Sequence, residues 1–164
     1  MRTPPTILRE RLQFLAKVVE REFVHLQTTD RRLFATPLTQ QQLAMLEQNP
    51  DLAERIDAFV SRFGRLQDTL GDKLLPQLFR LVGERPTTFV DNLDRAERLG
   101  WIVSSDQWLD ARKLRNHMVH EYIDDLAILL DALQQGHELV GPLAAAAQAM
   151  LAELRARLAG ATTP

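Results

Sequence analysis

The chain contains no cysteine. That excludes disulfides and thiolate metal sites, and it fits a reducing compartment. Long apolar runs are also missing. None reaches the ~18 residues of a membrane span, and no signal-peptide core follows the amino terminus. The expectation is a soluble, cytoplasmic protein with no membrane contact. An excess of positive charge is lacking too: 20 Lys and Arg face 22 Asp and Glu, for a net charge of -2. No whole-protein field attracts long nucleic acid, so any RNA contact must come from a local cluster. Strand patterns, internal repeats and low-complexity runs are absent as well.

What remains is ordinary globular composition, 45 % apolar and 26 % charged over 164 residues. That length suits one domain, or one domain with a helical extension, and allows a real core. Residues 6–27 carry Leu8, Leu12, Leu15, Val19, Phe23 and Leu26 at helical spacing. Thr28, Thr29 and Asp30 weaken the pattern. Thr39 with Gln42 reads as a capping box, with Leu38 and Leu43 as its staple. Asn49-Pro50 starts a helix sharply. Its seam is Leu52, Ile56, Phe59, Phe63, Leu66 and Leu70, a stripe of the kind used in bundle cores. Gly71 and Pro76 predict a bend or break. Residues 83–86 read as a loop. Thr88 with Asp91 predicts a helix cap, and Gly100 a stop. Ser104 with Gln107, stapled by Val103 and Trp108, starts a helix near residue 105. Asp124 can cap the next helix, which buries Leu126, Leu129, Leu130 and Leu133. Gly141-Pro142 predicts another break before a final helix with Leu143, Ala147, Leu151, Leu154 and Leu158. The architecture expected is an all-α, up-and-down helical bundle over 49–160, with 1–48 as a helical extension packed on it.

One stretch stands apart from this packing pattern: Arg112-Lys113-Leu114-Arg115-Asn116-His117-Met118-Val119-His120-Glu121-Tyr122. On an α-helix, Ala111, Leu114, Met118 and Tyr122 share a core-facing side, while Arg112, Asn116 and His120 share another. Arg115 lies at the edge of the buried face, where its guanidinium can be held. It is ~140° around the helix from His120, so the two converge only if the helix ends or distorts between residues 117 and 121. Such an end is expected. His120 can titrate near neutral pH and suits proton transfer. Arg115 suits bidentate contact with phosphate. Asn116, one turn before His120, can orient its ring or hold a phosphate oxygen.

The spacing Arg115-x4-His120-x-Tyr122, with Asn116 after the arginine, resembles the motif of the HEPN superfamily and, within it, the HepT-like toxins. The likeness extends to Phe63-Gly64-Arg65-Leu66-Gln67-Asp68-Thr69-Leu70-Gly71 and Leu99-Gly100-Trp101-Ile102, covering roughly residues 50 to 160. The resemblance implies a homodimer with a shared cleft and a metal-independent endoribonuclease using Arg115 and His120. It also implies a nucleotidyltransferase antitoxin of the MNT class that silences the toxin by attaching AMP to Tyr122. The chain lacks that transferase's own Gly-Ser and Asp-x-Asp motif.

Blander readings stand beside this one. Arg112 and Lys113 suit a solvated face, Arg112 with a part in holding RNA. His117 suits a surface pair with Glu121. Tyr122 suits a core position with its hydroxyl at the rim. His25 and His137 lie outside any cluster, and Trp101 and Trp108 suit packing. Asp68 is a candidate to support His120 from across the bundle. Glu121, Asp124 and Asp125 lack a second carboxylate cluster at ligand spacing, so no metal or cofactor is expected. The rival functional reading is a non-catalytic helical module that binds a nucleotidyltransferase. A third is a structural bundle in which the motif is coincidental.

Overall fold

The computed structural model describes residues 4–120 and 125–160, with Val119 and His120 described by their helical backbone alone. Expectations for Glu121, Tyr122 and Asp124 fall outside the described residues. The described chain is all helical, and none of its helices is long and apolar enough to cross a membrane.

The first helix, α1 (Thr6–Leu33), runs straight through the weak stretch at residues 28–30. Thr29 is buried, donates its hydroxyl to the His25 carbonyl at 3.0 Å and accepts from Arg62. A residue that disfavours helix locally is thus held by contacts to another helix. Thr39 and Gln42 form the expected reciprocal box at the start of α2 (Gln40–Ala44), and Leu38 and Leu43 are both buried. A single 3₁₀ turn (Leu46–Gln48) leads to Asn49, whose side chain accepts from Leu52 N at 3.2 Å and opens α3 (Pro50–Asp68). All six seam residues of α3 and its continuation are buried. Each fully buried Phe or Leu contributes about 1.5–3 kcal/mol.

Of the bend or break expected at Gly71 and Pro76, the break does not occur. A π-turn (Thr69–Leu74) passes without interruption into α4 (Leu75–Leu81), with Pro76 as the second residue of α4. Gly71 serves a close approach instead: a Cβ there would lie 3.2 Å from both the Phe89 ring and Trp108 Nε1.

Thr88 caps α5 (Phe89–Arg98), and Gly100, at φ 74°, ends it. Ser104 accepts from Gln107 N at 3.1 Å where α6 (Ser105–His120) begins. Of the expected staple pair, Trp108 is buried but Val103 stays 73 % exposed.

The last helix, α7 (Leu126–Gly160), is continuous, so the break expected at Gly141-Pro142 is corrected. Proline strains a helix partly through the Cβ of the residue before it, and Gly141 has none. Buried Val140, Leu143, Ala146 and Ala147 hold both sides of the joint. Its start is capped by Asp125, which accepts from Ala127 N at 3.0 Å and Ile128 N at 3.2 Å. Leu129 and Leu133 are buried as predicted, as is the final stripe from Leu143 to Leu158.

The buried side chains form one cluster. Leu12, Leu15, Val19 and Leu26 of α1 belong to it together with the seam of α3 and the inner faces of α4 to α7. The apolar core therefore does not divide at residue 48.

Candidate functional site

The site is built where α6 crosses the C-terminal end of α3. Ala111, Leu114 and Met118 bury one side of α6 as predicted, which fixes the helix's rotation. Arg115 then leaves the edge of that buried face and lies across Gly64. A Cβ at residue 64 would sit 2.7 Å from its Nε, so the arginine occupies a groove only glycine leaves open. Its Nη1 donates to both carboxylate oxygens of Asp68, each at 2.7 Å.

Arg112, one turn earlier, is paired with Asp72 at 3.0 Å, and its guanidinium lies 4.2 Å from the centre of the Phe89 ring. Arg112 therefore lies on a partly solvated face, as expected, but a ring and a carboxylate on the π-turn also hold it. Asp68 and Asp72, four residues apart, face Arg115 and Arg112, three apart, as two ion-paired rungs. Side chains in both pairs are 33–40 % exposed. Pairs so solvated contribute at most about 1 kcal/mol each to stability, so their effect is to aim the guanidinium groups. They also leave little net positive charge on this face.

Lys113 is solvated, 3.9 Å from Asp110. Asn116 and His117 are exposed. The helix end expected between residues 117 and 121 does not come before His120, because α6 is helical to that residue. Arg115 and His120 thus share one regular helix, five residues and ~140° apart, so within one chain the helix up to His120 does not supply the convergence that the expected helix end was to give. Among the described side chains the partner of Asp68 is Arg115. Tyr122 lies outside the described residues.

A third group joins the site from α1. Thr69, on the π-turn, donates to Glu22 Oε1 at 3.1 Å, while Glu22 Oε2 is buried with no partner among the described residues. Burial pushes the Glu22 carboxyl above its ordinary range. The Thr69 bond and the charges of Arg65 and Lys73 pull the other way, and Asp68 adds to the rise. Glu22 was not singled out in the sequence, yet a signal exists there. Positions 12, 15, 19, 22, 26, 29 and 33 alternate by threes and fours, and only Glu22 and Thr29 in that seam are polar. Both are where α1 bonds α3 and its continuation.

His137 also has a partner that sequence reasoning passed over. Its Nδ1 lies 2.6 Å from Asp30 Oδ1, and its ring stacks on Phe34 at 4.2 Å, tying α7 to α1. Trp101 and Trp108 are packing residues, each 6 % exposed. Among the described residues, no three His, Asp or Glu side chains gather as a metal site would require.

Comparison with protein-family models, with curated proteins and with solved structures gives no match for this chain.

Proposed function

We propose that the protein is a metal-independent endoribonuclease of the HepT-like kind, acting in the cytoplasm as a homodimer. A two-fold dimer gives one cleft two imidazoles and two guanidinium groups. One His120 removes the proton of a ribose 2′-hydroxyl, and the oxygen attacks the adjacent phosphorus. His120 of the partner subunit gives a proton to the departing 5′-oxygen, leaving a 2′,3′-cyclic phosphate and a 5′-hydroxyl. Arg115 holds the phosphate as charge builds on its oxygens, Asn116 steadies the His120 ring or a phosphate oxygen, and Arg112 supports the bound strand. An MNT-class nucleotidyltransferase silences the enzyme by transferring AMP to Tyr122, whose added phosphate competes for the same arginine.

The observation that supports this reading is the seat of Arg115. Asp68 grips it through a single nitrogen, across a glycine, five residues before His120 on the same helix. An arginine kept only for stability gains little from so exposed a pair. The test is expression in bacteria of the wild-type chain beside His120→Ala and Arg115→Ala. Growth arrest and fragmented RNA are expected for the wild type alone. Equal behaviour of all three overturns the catalytic assignment.

A second reading is favoured by one observation: both arginines of the motif already hold carboxylates. In that reading the chain is a non-catalytic helical module of a nucleotidyltransferase. Purified dimer, unmodified at Tyr122, would then bind the transferase and leave RNA intact. Tyr122 is the chain's one tyrosine, so mass spectrometry after incubation with ATP and the transferase reads its modification without ambiguity.

A further inference from the structure

The helix that sequence marks as an extension reaches the site on α6 through one side chain. Glu22 of α1 accepts from the Thr69 hydroxyl at 3.1 Å, and Thr69 is the first residue of the π-turn, next in the chain to Asp68. Asp68 holds Arg115, while Asp72, inside the π-turn, holds Arg112. A single bond from α1 therefore anchors the segment that carries both carboxylates of the site.

Three observations set this bond apart from ordinary packing. First, the position suits an apolar side chain. Val19 and Leu26, the neighbours of Glu22 along the same stripe of α1, are fully buried, and burial pushes the Glu22 carboxyl above its ordinary range. A carboxylate there costs stability that leucine would not. Second, Thr69 is 2 % exposed, yet it gives its hydroxyl to α1 and not to a carbonyl of its own helix. Thr29 takes that local choice, donating to the His25 carbonyl four residues back. Third, the segment held is a π-turn, a rare form inside helices. Its winding sets where Asp72 points, and its start fixes Asp68.

We propose that Glu22 is a positioning residue for the site on α6: through Thr69 it fixes the π-turn, and the fixed π-turn aims Asp68 and Asp72 and, with them, the guanidinium groups of Arg115 and Arg112. In its effect on catalysis this rests on the ribonuclease reading above. Glu22 itself touches no substrate. It acts by accepting a hydrogen bond, so an uncharged acceptor of the same length serves in its place.

Two variants of the full chain break the bond without emptying the core, Glu22→Leu and Thr69→Val. Both are expected to fold, as circular dichroism would show, and Glu22→Leu to keep or raise the melting temperature. Nitrogen-15 NMR of the Arg115 guanidinium, assigned with Arg115→Lys, reads the seat directly. Separate, slowly exchanging N–H signals are expected for the wild type and for Glu22→Gln, and averaged ones for Glu22→Leu and Thr69→Val. RNA cleavage is expected to fall about tenfold or more in each of the last two, to fall no further in the double variant, and to stay within about threefold of wild type in Glu22→Gln. The proposal is overturned if the wild type shows no held guanidinium, if Glu22→Leu and Thr69→Val leave its signals unchanged, or if Glu22→Gln loses them. Losses in cleavage that add in the double variant overturn it equally. A wild type that cuts no RNA would overturn the ribonuclease reading alone, because the Arg115 signals still decide the role of Glu22.

Discussion

At residue 64 the choice between glycine and alanine separates stability from function. Inside a helix, alanine is favoured over glycine by about 1 kcal/mol. Here, though, its methyl would occupy the space of Arg115 Nε, and a long side chain can swing away. Gly64→Ala should therefore keep or slightly raise the melting temperature while, on the proposed ribonuclease reading, lowering RNA cleavage by about tenfold or more, as Arg115 leaves Asp68. Unchanged cleavage would show that the arginine's seat does not matter. Glu22 gives a pH-dependent case. Its folded-state pKa lies above the ordinary 4.5, so the native state holds the proton more tightly than the unfolded chain does. Stability is then lost as pH rises from about that value through the raised one. Glu22→Gln keeps an acceptor for Thr69 and removes the buried charge. Its gain in melting temperature over wild type should be small below pH 4.5 and grow toward neutrality; a gain that does not vary with pH would refute the account. Arg115 was legible as a held residue because its helical angle sets it beside the apolar face. Asp68 was singled out too, but for His120; that it pairs with Arg115, 47 residues away, follows only from the packing of α6 on α3.

Among the elements, the caps were the most legible, because a cap is a contact over three residues. Thr39, Asn49, Thr88 and Ser104 all act as their sequence suggested. Breaks were the least legible. Gly71 with Pro76, and Gly141 with Pro142, carry strong local signals against helix, yet both lie inside continuous helical rods. Tertiary burial on both sides outweighs the one hydrogen bond each proline removes. The cost still exists at Pro142, in the middle of α7. Pro142→Ala restores a donor to the helix and should stabilise the protein by about 1–3 kcal/mol, measured by denaturant unfolding. Destabilisation would mean that the proline ring's packing against its neighbours contributes more than the missing bond.

For the whole molecule, the all-helical architecture was legible from periodicity alone, whereas the role of residues 1–48 was not. Sequence marks them as an addition because the motif resemblance begins after them. In the folded chain, α1 places Leu12, Leu15, Val19 and Leu26 at the centre of the shared core. A chain of residues 49–160 alone should therefore lack a cooperative thermal transition, since it would expose the seam of α3 that α1 covers. A sharp transition close to that of the full chain would make α1 dispensable. The π-turn at Thr69–Leu74 has a consequence of the same reach. One surplus residue there sets the angular phase of all that follows on the rod. Excising a single residue from it would turn Leu74, Leu75, Leu78 and Phe79 by ~100° relative to α3 and carry them out of the interior. That six-residue segment can thus exchange side chains far more readily than it can change length.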